Sequence, residues 1–153
     1  MMAASAGTAI ASNRIHLEEM RRGVVAHSTI VKASEDDLAW MLPGIGYRDA
    51  AEQLLSDGVR LVVVTLGSAG SFGAHRDLRT SVDAVPVRVV DTIGAGDAFG
   101  AALLAWLHDH GCVLRDMALE LGQLRAALHY AGVAAAITCS RAGADPPWKH
   151  EMQ

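Results

Sequence analysis

Asp91-Thr92-Ile93-Gly94-Ala95-Gly96-Asp97-Ala98-Phe99 joins two stretches of opposite character. Before it, residues 85–90 are apolar and β-branched, interrupted at Pro86. After it, residues 98–107 are rich in Ala and Leu. The order predicts a strand, a glycine turn and a helix whose N-terminus lies at the turn. The first amides of a helix have no intrahelical acceptor, and the aligned peptide dipoles put partial positive charge there. Gly94 and Gly96 hold no side chain in front of those amides, so the turn is a candidate anion site. Asp97 adds a carboxylate at the same place, which suits a base that takes a proton from an attacking hydroxyl.

Working outward, residues 60–66 (Arg60-Leu61-Val62-Val63-Val64-Thr65-Leu66) form a continuous apolar, β-branched run. Such a run is expected of a strand covered by helices on both faces. Gly67-Ser68-Ala69-Gly70 turns the chain, Ser71 to His75 begins a return strand, and Asp77-Leu78-Arg79 reads as a hairpin turn. Upstream, residues 15–27 show near-helical apolar spacing, and Thr29-Ile30-Val31 reads as a short buried strand. Ser34-Glu35-Asp36-Asp37 has a cap residue followed by acids, a helix start. That helix runs to Pro43-Gly44, and another spans Tyr47 to Ser56. Downstream, one helix is expected from Ala95 to His110 and a longer one from Leu114 to Ala136. Ile137-Thr138-Cys139-Ser140 reads as a last strand or an extended tail. The alternation predicts an α/β fold with a mostly parallel sheet, whose ligands lie beyond the carboxyl ends of the strands.

The chain has 153 residues, enough for one domain with a substantial core. It is 51% hydrophobic but only 5% aromatic, so Ala, Val and Leu must build that core. A net charge of −4 gives no general electrostatic reason to bind nucleic acid. No apolar run approaches the ~20 residues of a membrane span. The opening residues lack the basic region and long apolar stretch of a secretion signal, so a cytoplasmic protein is expected. Cys112 and Cys139 have no metal-type spacing. His108 and His110 sit where a helix C-terminal dipole would hold them. Trp40, Trp106 and Trp148 read as packing residues, and Arg76 and Arg79 as solvated hairpin charges.

Gly94-x-Gly96-x-x-x-Gly100 misses the dinucleotide fingerprint by one position, and no Gly-Lys-Ser/Thr follows to make a P-loop. The full string is more specific. Asp91-Thr92-Ile93-Gly94-Ala95-Gly96-Asp97 resembles the D-T-x-G-A-G-D signature of the ribokinase-like (PfkB) carbohydrate kinases, where it also precedes a helix. The resemblance implies a three-layer α/β/α fold and an ATP-dependent sugar kinase, a phosphotransferase with an alcohol acceptor. It makes Asp97 the base for a sugar hydroxyl, with Gly94, Ala95 and Gly96 forming an anion hole for the phosphoryl group. Val64-Thr65-Leu66-Gly67-Ser68-Ala69-Gly70 resembles the family's T-x-G-x-x-G turn along ATP, which implies that Thr65, Gly67 and Gly70 bind the nucleotide. Residues 137–144 resemble the closing stretch near the nucleotide and a monovalent-cation loop. By the same analogy the carbonyls of Asp91 and Ile93 would join that potassium-type site.

Three features depart from the pattern. Where the family often has N-x-x-E near magnesium and phosphate, this chain has Ser34-Glu35-Asp36-Asp37, keeping only the acid at Asp37. Residues 32–40 nevertheless resemble the fructokinase version. Gly132 stands where many relatives carry an Asn near adenine. Finally, the resemblance covers residues 15–148, with 1–14 poorly defined and 149–153 a tail, and all of it aligns with the family's C-terminal, nucleotide-binding half. The G-G-x-x-x-N region and the sugar lid have no counterpart. The expected ligands are ATP, Mg2+ and a small sugar, fructose or a relative of it. Two other readings stand beside this one: a non-catalytic nucleotide-binding module or half of a complementing assembly, and a plain interaction domain. A sheet cut this way would leave an apolar edge, which makes a homodimer plausible.

Overall fold

The computed structural model describes residues 19, 23, 27–112 and 117–152. The helix expected over residues 15–27 lies outside the described residues apart from Glu19, Gly23 and His27. Four strands form one sheet in the order β1 (Ile30–Ser34), β2 (Leu61–Thr65), β3 (Ser71–His75), β4 (Leu78–Val82). Between them and after them lie α1 (Glu35–Met41), α2 (Tyr47–Ser56), α3 (Ala95–Asp109) and α4 (Leu121–Cys139), with short 3-10 turns at Gly67–Ala69 and Lys149–Met152.

Side-chain alternation puts helices on both faces of the sheet. Val62 and Val64 of β2 join Val31, Ala33, Phe72 and Ala74 in a core with Leu38 of α1 and Ala50, Ala51 and Leu54 of α2. Leu61 and Val63 face the other way, onto Phe99, Leu103 and Leu107 of α3 and Leu124, Ala127, Leu128 and Ala131 of α4. This is the expected three-layer α/β/α arrangement. Fully burying each of these Leu side chains contributes roughly 1.5–3 kcal/mol, so the two cores hold the layers without large aromatics. Among the described residues no helix is long and apolar enough to cross a membrane.

The sheet is more mixed than the alternation predicts. β1 and β2 are parallel, but β2–β3 and β3–β4 are antiparallel. Short connections impose this, because a few residues can join only antiparallel neighbours. The second hairpin turn is Arg76-Asp77, with Arg76 at φ 48°, rather than 77–79. β4 therefore occupies the place expected for residues 85–90. That later stretch is no strand: Pro86 lacks an N–H, and Val89 and Val90 are each 59% exposed. The amides of Val90 and Asp91 donate instead to the Cys139 carbonyl at the end of α4 (2.8 and 3.2 Å).

The last helix is also displaced. A reciprocal capping box between Glu120 and Gln123 starts α4 at Leu121, later than expected, and Met117 and Leu119 before it are buried plugs. Its far end absorbs Ile137–Cys139, expected as a strand or tail. There Thr138 Oγ1 donates to the Ala134 carbonyl at 2.9 Å, so the local i−4 bond overrides the β-branched composition.

Candidate active site

The carboxyl ends of the parallel strands lie side by side, with Ser34 of β1 paired to Thr65 of β2. Ser34 ends its strand and caps α1 at once. Its hydroxyl accepts from the Asp37 amide (3.0 Å), and its own amide donates to Asp37 Oδ2 (2.9 Å). Hydrogen bonding to the carboxyl by the Ser34 side chain, and next by the Ser34 amide, holds Asp37 below its ordinary value, with a smaller push from the Lys32 ammonium. Asp37 thus has a structural duty in the cap of α1. Gly67, at φ 57°, leads the turn after β2, and the Leu66 amide closes it on the Gly70 carbonyl at 2.8 Å.

Gly94 caps α3 in the left-handed conformation, φ 78°. A Cβ there would lie 2.7 Å from Ala144 Cβ, so glycine is required both for the backbone and for the space. The Ala95 amide makes a long bond to the Thr92 carbonyl (3.3 Å), and the first regular helical bond runs from the Ala98 amide to Gly94 (2.9 Å). The amides of Gly96 and Asp97 have no acceptor among the described residues. The Gly94 amide has none either, so within the Gly94–Gly96 set only Ala95 is engaged, and Asp97 adds a further open donor. Asp97 is exposed at the third helical position, and its carboxylate makes no hydrogen bond among the described residues.

Asp91 does different work. Its Oδ1 accepts from the Ile93 amide (3.0 Å) and its Oδ2 from the Gly143 amide (2.9 Å), and these bonds lower its pKa in that order of importance. The carboxylate clasps the turn to the segment after α4. The backbone carbonyls of Asp91 and Ile93 accept no backbone hydrogen bond among the described residues, which leaves them available to a cation.

Two expected nucleotide residues have packing roles. A Cβ on Gly70 would come within 2.1 Å of the Val82 carbonyl oxygen, so Gly70 lies beneath the end of β4. Gly132 faces Val85, whose Cγ2 would be 3.9 Å from an added Cβ. Outside the site, His110 Nδ1 lies 2.8 Å from the Trp106 carbonyl and its ring stacks on Trp106. Arg79 is not simply solvated, because it forks onto Glu52. Trp40 and Trp148 are exposed rather than packed, and both cysteines are free.

Sequence reasoning assigned no role to Lys32. β1 alternates, with Val31 and Ala33 in the α1–α2 core, so Lys32 points to the α3 side. Its Nζ lies 3.2 Å from where a Cβ on Gly96 would be. The signal was a lone charge in a strand whose neighbours are apolar.

The chain matches the description "pfkB family carbohydrate kinase" over residues 3–151. It is 44% identical to a fructokinase of Rhizobium leguminosarum bv. trifolii over 60% of this chain and 28% of that protein. It is 35% identical to fructokinase-1 of Oryza sativa subsp. japonica over 89% of this chain and 42% of that one. Its fold matches the fructokinase of Vibrio cholerae O395, determined with fructose, ADP and calcium ion, at a TM-score of 0.70 and 28% identity, covering 84% of this chain and 40% of that chain. Aminoimidazole riboside kinase of Salmonella enterica, complexed with its riboside and an ATP analog, matches at a TM-score of 0.73 and 27% identity, covering 88% and 44%. The chain spans less than half the length of each of these relatives. With a family match over nearly its whole length, the chain belongs to the pfkB family of carbohydrate kinases.

Proposed function

We propose that this chain carries the nucleotide-binding and phosphoryl-transfer part of an ATP-dependent sugar kinase, with fructose or a close relative as acceptor. The observation that carries the reading is the pair of open amides at Gly96 and Asp97, beside an exposed carboxylate at the start of α3. Phosphoryl transfer needs an aligned nucleophile and fixed positive dipoles where charge spreads over the phosphoryl oxygens. The first turn of α3 supplies the dipoles, and Asp97 accepts the proton of the attacking hydroxyl. Thr65 and Gly67 border the nucleotide at the end of β2. Gly70 and Gly132 support that border from beneath.

Magnesium in such chemistry keeps several waters and is held largely by substrate phosphates. The exposed carboxylate of Asp37 would suit that limited role. Among the described residues no cluster of three or more His, Cys, Asp or Glu forms a metal cage. The ion would neutralise phosphate charge during transfer. A potassium-type ion on the carbonyls of Asp91 and Ile93 would stiffen the turn. ATP as donor fits a cytoplasmic enzyme, and the outer edge of β1, unpaired among the described strands, suits pairing with a second copy.

The test combines calorimetric titration of MgATP with ADP release in the presence of fructose. Asp97→Asn should lower turnover ~10²–10⁴-fold while ATP affinity stays within a few-fold. The coverage of the relatives favours one second reading, a nucleotide-binding module whose sugar contacts come from another segment or chain. ATP binding without turnover selects that reading, and absence of ATP binding defeats both.

A further inference from the structure

Two anchors of the glycine turn, the Gly143 amide and the Ala144 methyl, lie on the segment that leaves α4. This strap, residues 142–150, runs the length of α3. Ala144 Cβ lies 2.7 Å from the Cβ position of Gly94 at the N-terminal cap, and Lys149 Nζ donates to Asp109 Oδ2 at 2.8 Å on the last helical residue. A helix of 15 residues is about 22 Å long, and the extended chain from Ala144 to Lys149 spans about 17 Å. The lysine side chain makes up the rest, so the strap has little slack. Pro146 and Pro147 keep it extended, because each ring fixes φ and disfavours a helical residue before it.

Arg141, at the foot of the strap, closes it into a loop. Its guanidinium donates to Glu151 Oε1 and lies 3.5 Å from Asp145 Oδ2, so one planar fork fastens two carboxylates. The second Glu151 oxygen accepts from the Trp148 amide at 2.7 Å. The Arg141 guanidinium, and next the Trp148 amide, hold the Glu151 carboxyl below its ordinary value. The Arg141 and Glu151 side chains are 26% and 29% exposed, against 82% for Lys149, so this is the better shielded of the strap's two fastenings. Surface ion pairs contribute little to stability, but this one fixes both ends of the stretch that carries Gly143 and Ala144. We infer that Arg141 is a positioning residue for the glycine turn, acting through Glu151 and the strap without touching a substrate. This rests on the kinase reading above and extends it to a clamp outside the site. With the clamp closed, Gly143 and Ala144 bear on Asp91 and Gly94, and the open amides keep one direction. With it open, the strap slackens and the amides lose part of their hold on anionic oxygens.

The test compares the full chain as wild type, Arg141→Gln, Glu151→Gln and the double variant, by amide NMR, calorimetric titration with MgATP and thermal melting. In each single variant the amide resonances of Gly94, Gly96 and Asp97 should shift or broaden, although none of these residues touches Arg141. MgATP should bind about three- to tenfold more weakly, the scale of coupling through a packed segment. The double variant should bind it no more weakly than either single one, because both changes open the same clamp. Melting should fall by no more than about 4 °C. A merely structural ion pair would lower the melting temperature and leave the turn resonances in place, which overturns the inference, as do additive losses in the double variant. If wild type binds ATP and the variants bind it equally, only the role of Arg141 falls. If wild type binds none, the kinase reading falls and takes this inference with it.

Discussion

Gly94 and Gly96 stand two residues apart in one turn, yet replacing each with alanine should have opposite consequences. At Gly94 the backbone has φ 78°, a left-handed conformation that costs an L-residue roughly 1–2 kcal/mol. The new methyl would also sit 2.7 Å from Ala144 Cβ and 3.1 Å from its Cα, well inside ordinary contact. Relieving such a clash costs about 1–3 kcal/mol, because the neighbour is backbone-bound and cannot swing away. Together these give about 2–5 kcal/mol, or a fall in melting temperature of ~4–20 °C for a domain of this size. At Gly96 the backbone is helical and the one close neighbour is Lys32 Nζ at 3.2 Å, the free end of a flexible side chain. Stability should change by about 1 kcal/mol or less, with helix propensity favouring alanine. The methyl would instead stand over the open amides and keep phosphate away, at a loss of about tenfold or more in ATP affinity. Urea denaturation and calorimetric titration separate the two effects. A Gly96→Ala protein with wild-type ATP affinity would refute the assignment of these amides to phosphate. A Gly94→Ala protein as stable as wild type would refute the conformational argument.

Two further substitutions probe the supports of the turn. Asp91→Asn can satisfy only one of the two amides, Ile93 and Gly143, that the carboxylate now accepts from. Because the folded-state pKa is depressed below 3.8, the carboxylate's contribution is complete above that value and is lost as pH falls through the lower folded-state value. The variant should therefore be less stable than wild type near pH 7, with the gap closing on acidification. A gap independent of pH in urea titrations would exclude the ionised clasp. Gly70→Ala would drive a methyl into the Val82 carbonyl at a φ of 95°, and should cost more than about 2 kcal/mol. Thermal melting of the purified protein decides it, and a fall of less than about 4 °C would count against the packing role.

The elements that were legible in the sequence are those with strong local determinants. The Ser34 cap followed by three acids, the apolar run of β2, and the glycine-to-helix transition at Gly94 all formed where composition placed them. The failures share a cause, which is tertiary competition. Residues 85–90 are the better strand by composition, but Leu78–Val82 follows β3 after two residues and closes its ladder first, although its alternation is weak. Ile137 and Thr138 are β-branched yet continue α4, because the preceding Ala run had already fixed the backbone. The motif located Asp97 and the glycines without help from the fold. Two properties needed three dimensions: that Gly70 packs under β4, and that Lys32 reaches α3. Both depend on residues distant in sequence, for which neither spacing nor periodicity carries a signal.

The site also has a consistent energetic logic. The turn at 91–97 is anchored wholly by residues from the far end of the described chain: the Cys139 carbonyl, the Gly143 amide and the Ala144 methyl. Those anchors hold a left-handed glycine and three amides without acceptors among the described residues, with the Lys32 ammonium of β1 facing them, each unfavourable alone. The cost is tolerable because α3 is secured further along, where Leu103 and Leu107 are fully buried against β2 and α4. The helix can therefore present an unsatisfied N-terminus without fraying from it. A ligand that supplies anionic oxygens there need not order the turn before binding it, since Asp91 and Gly94 have already fixed its shape. Preorganisation of this kind is what electrostatic stabilisation of a transferring phosphoryl group requires, because donors that must first reorient lose part of what they contribute.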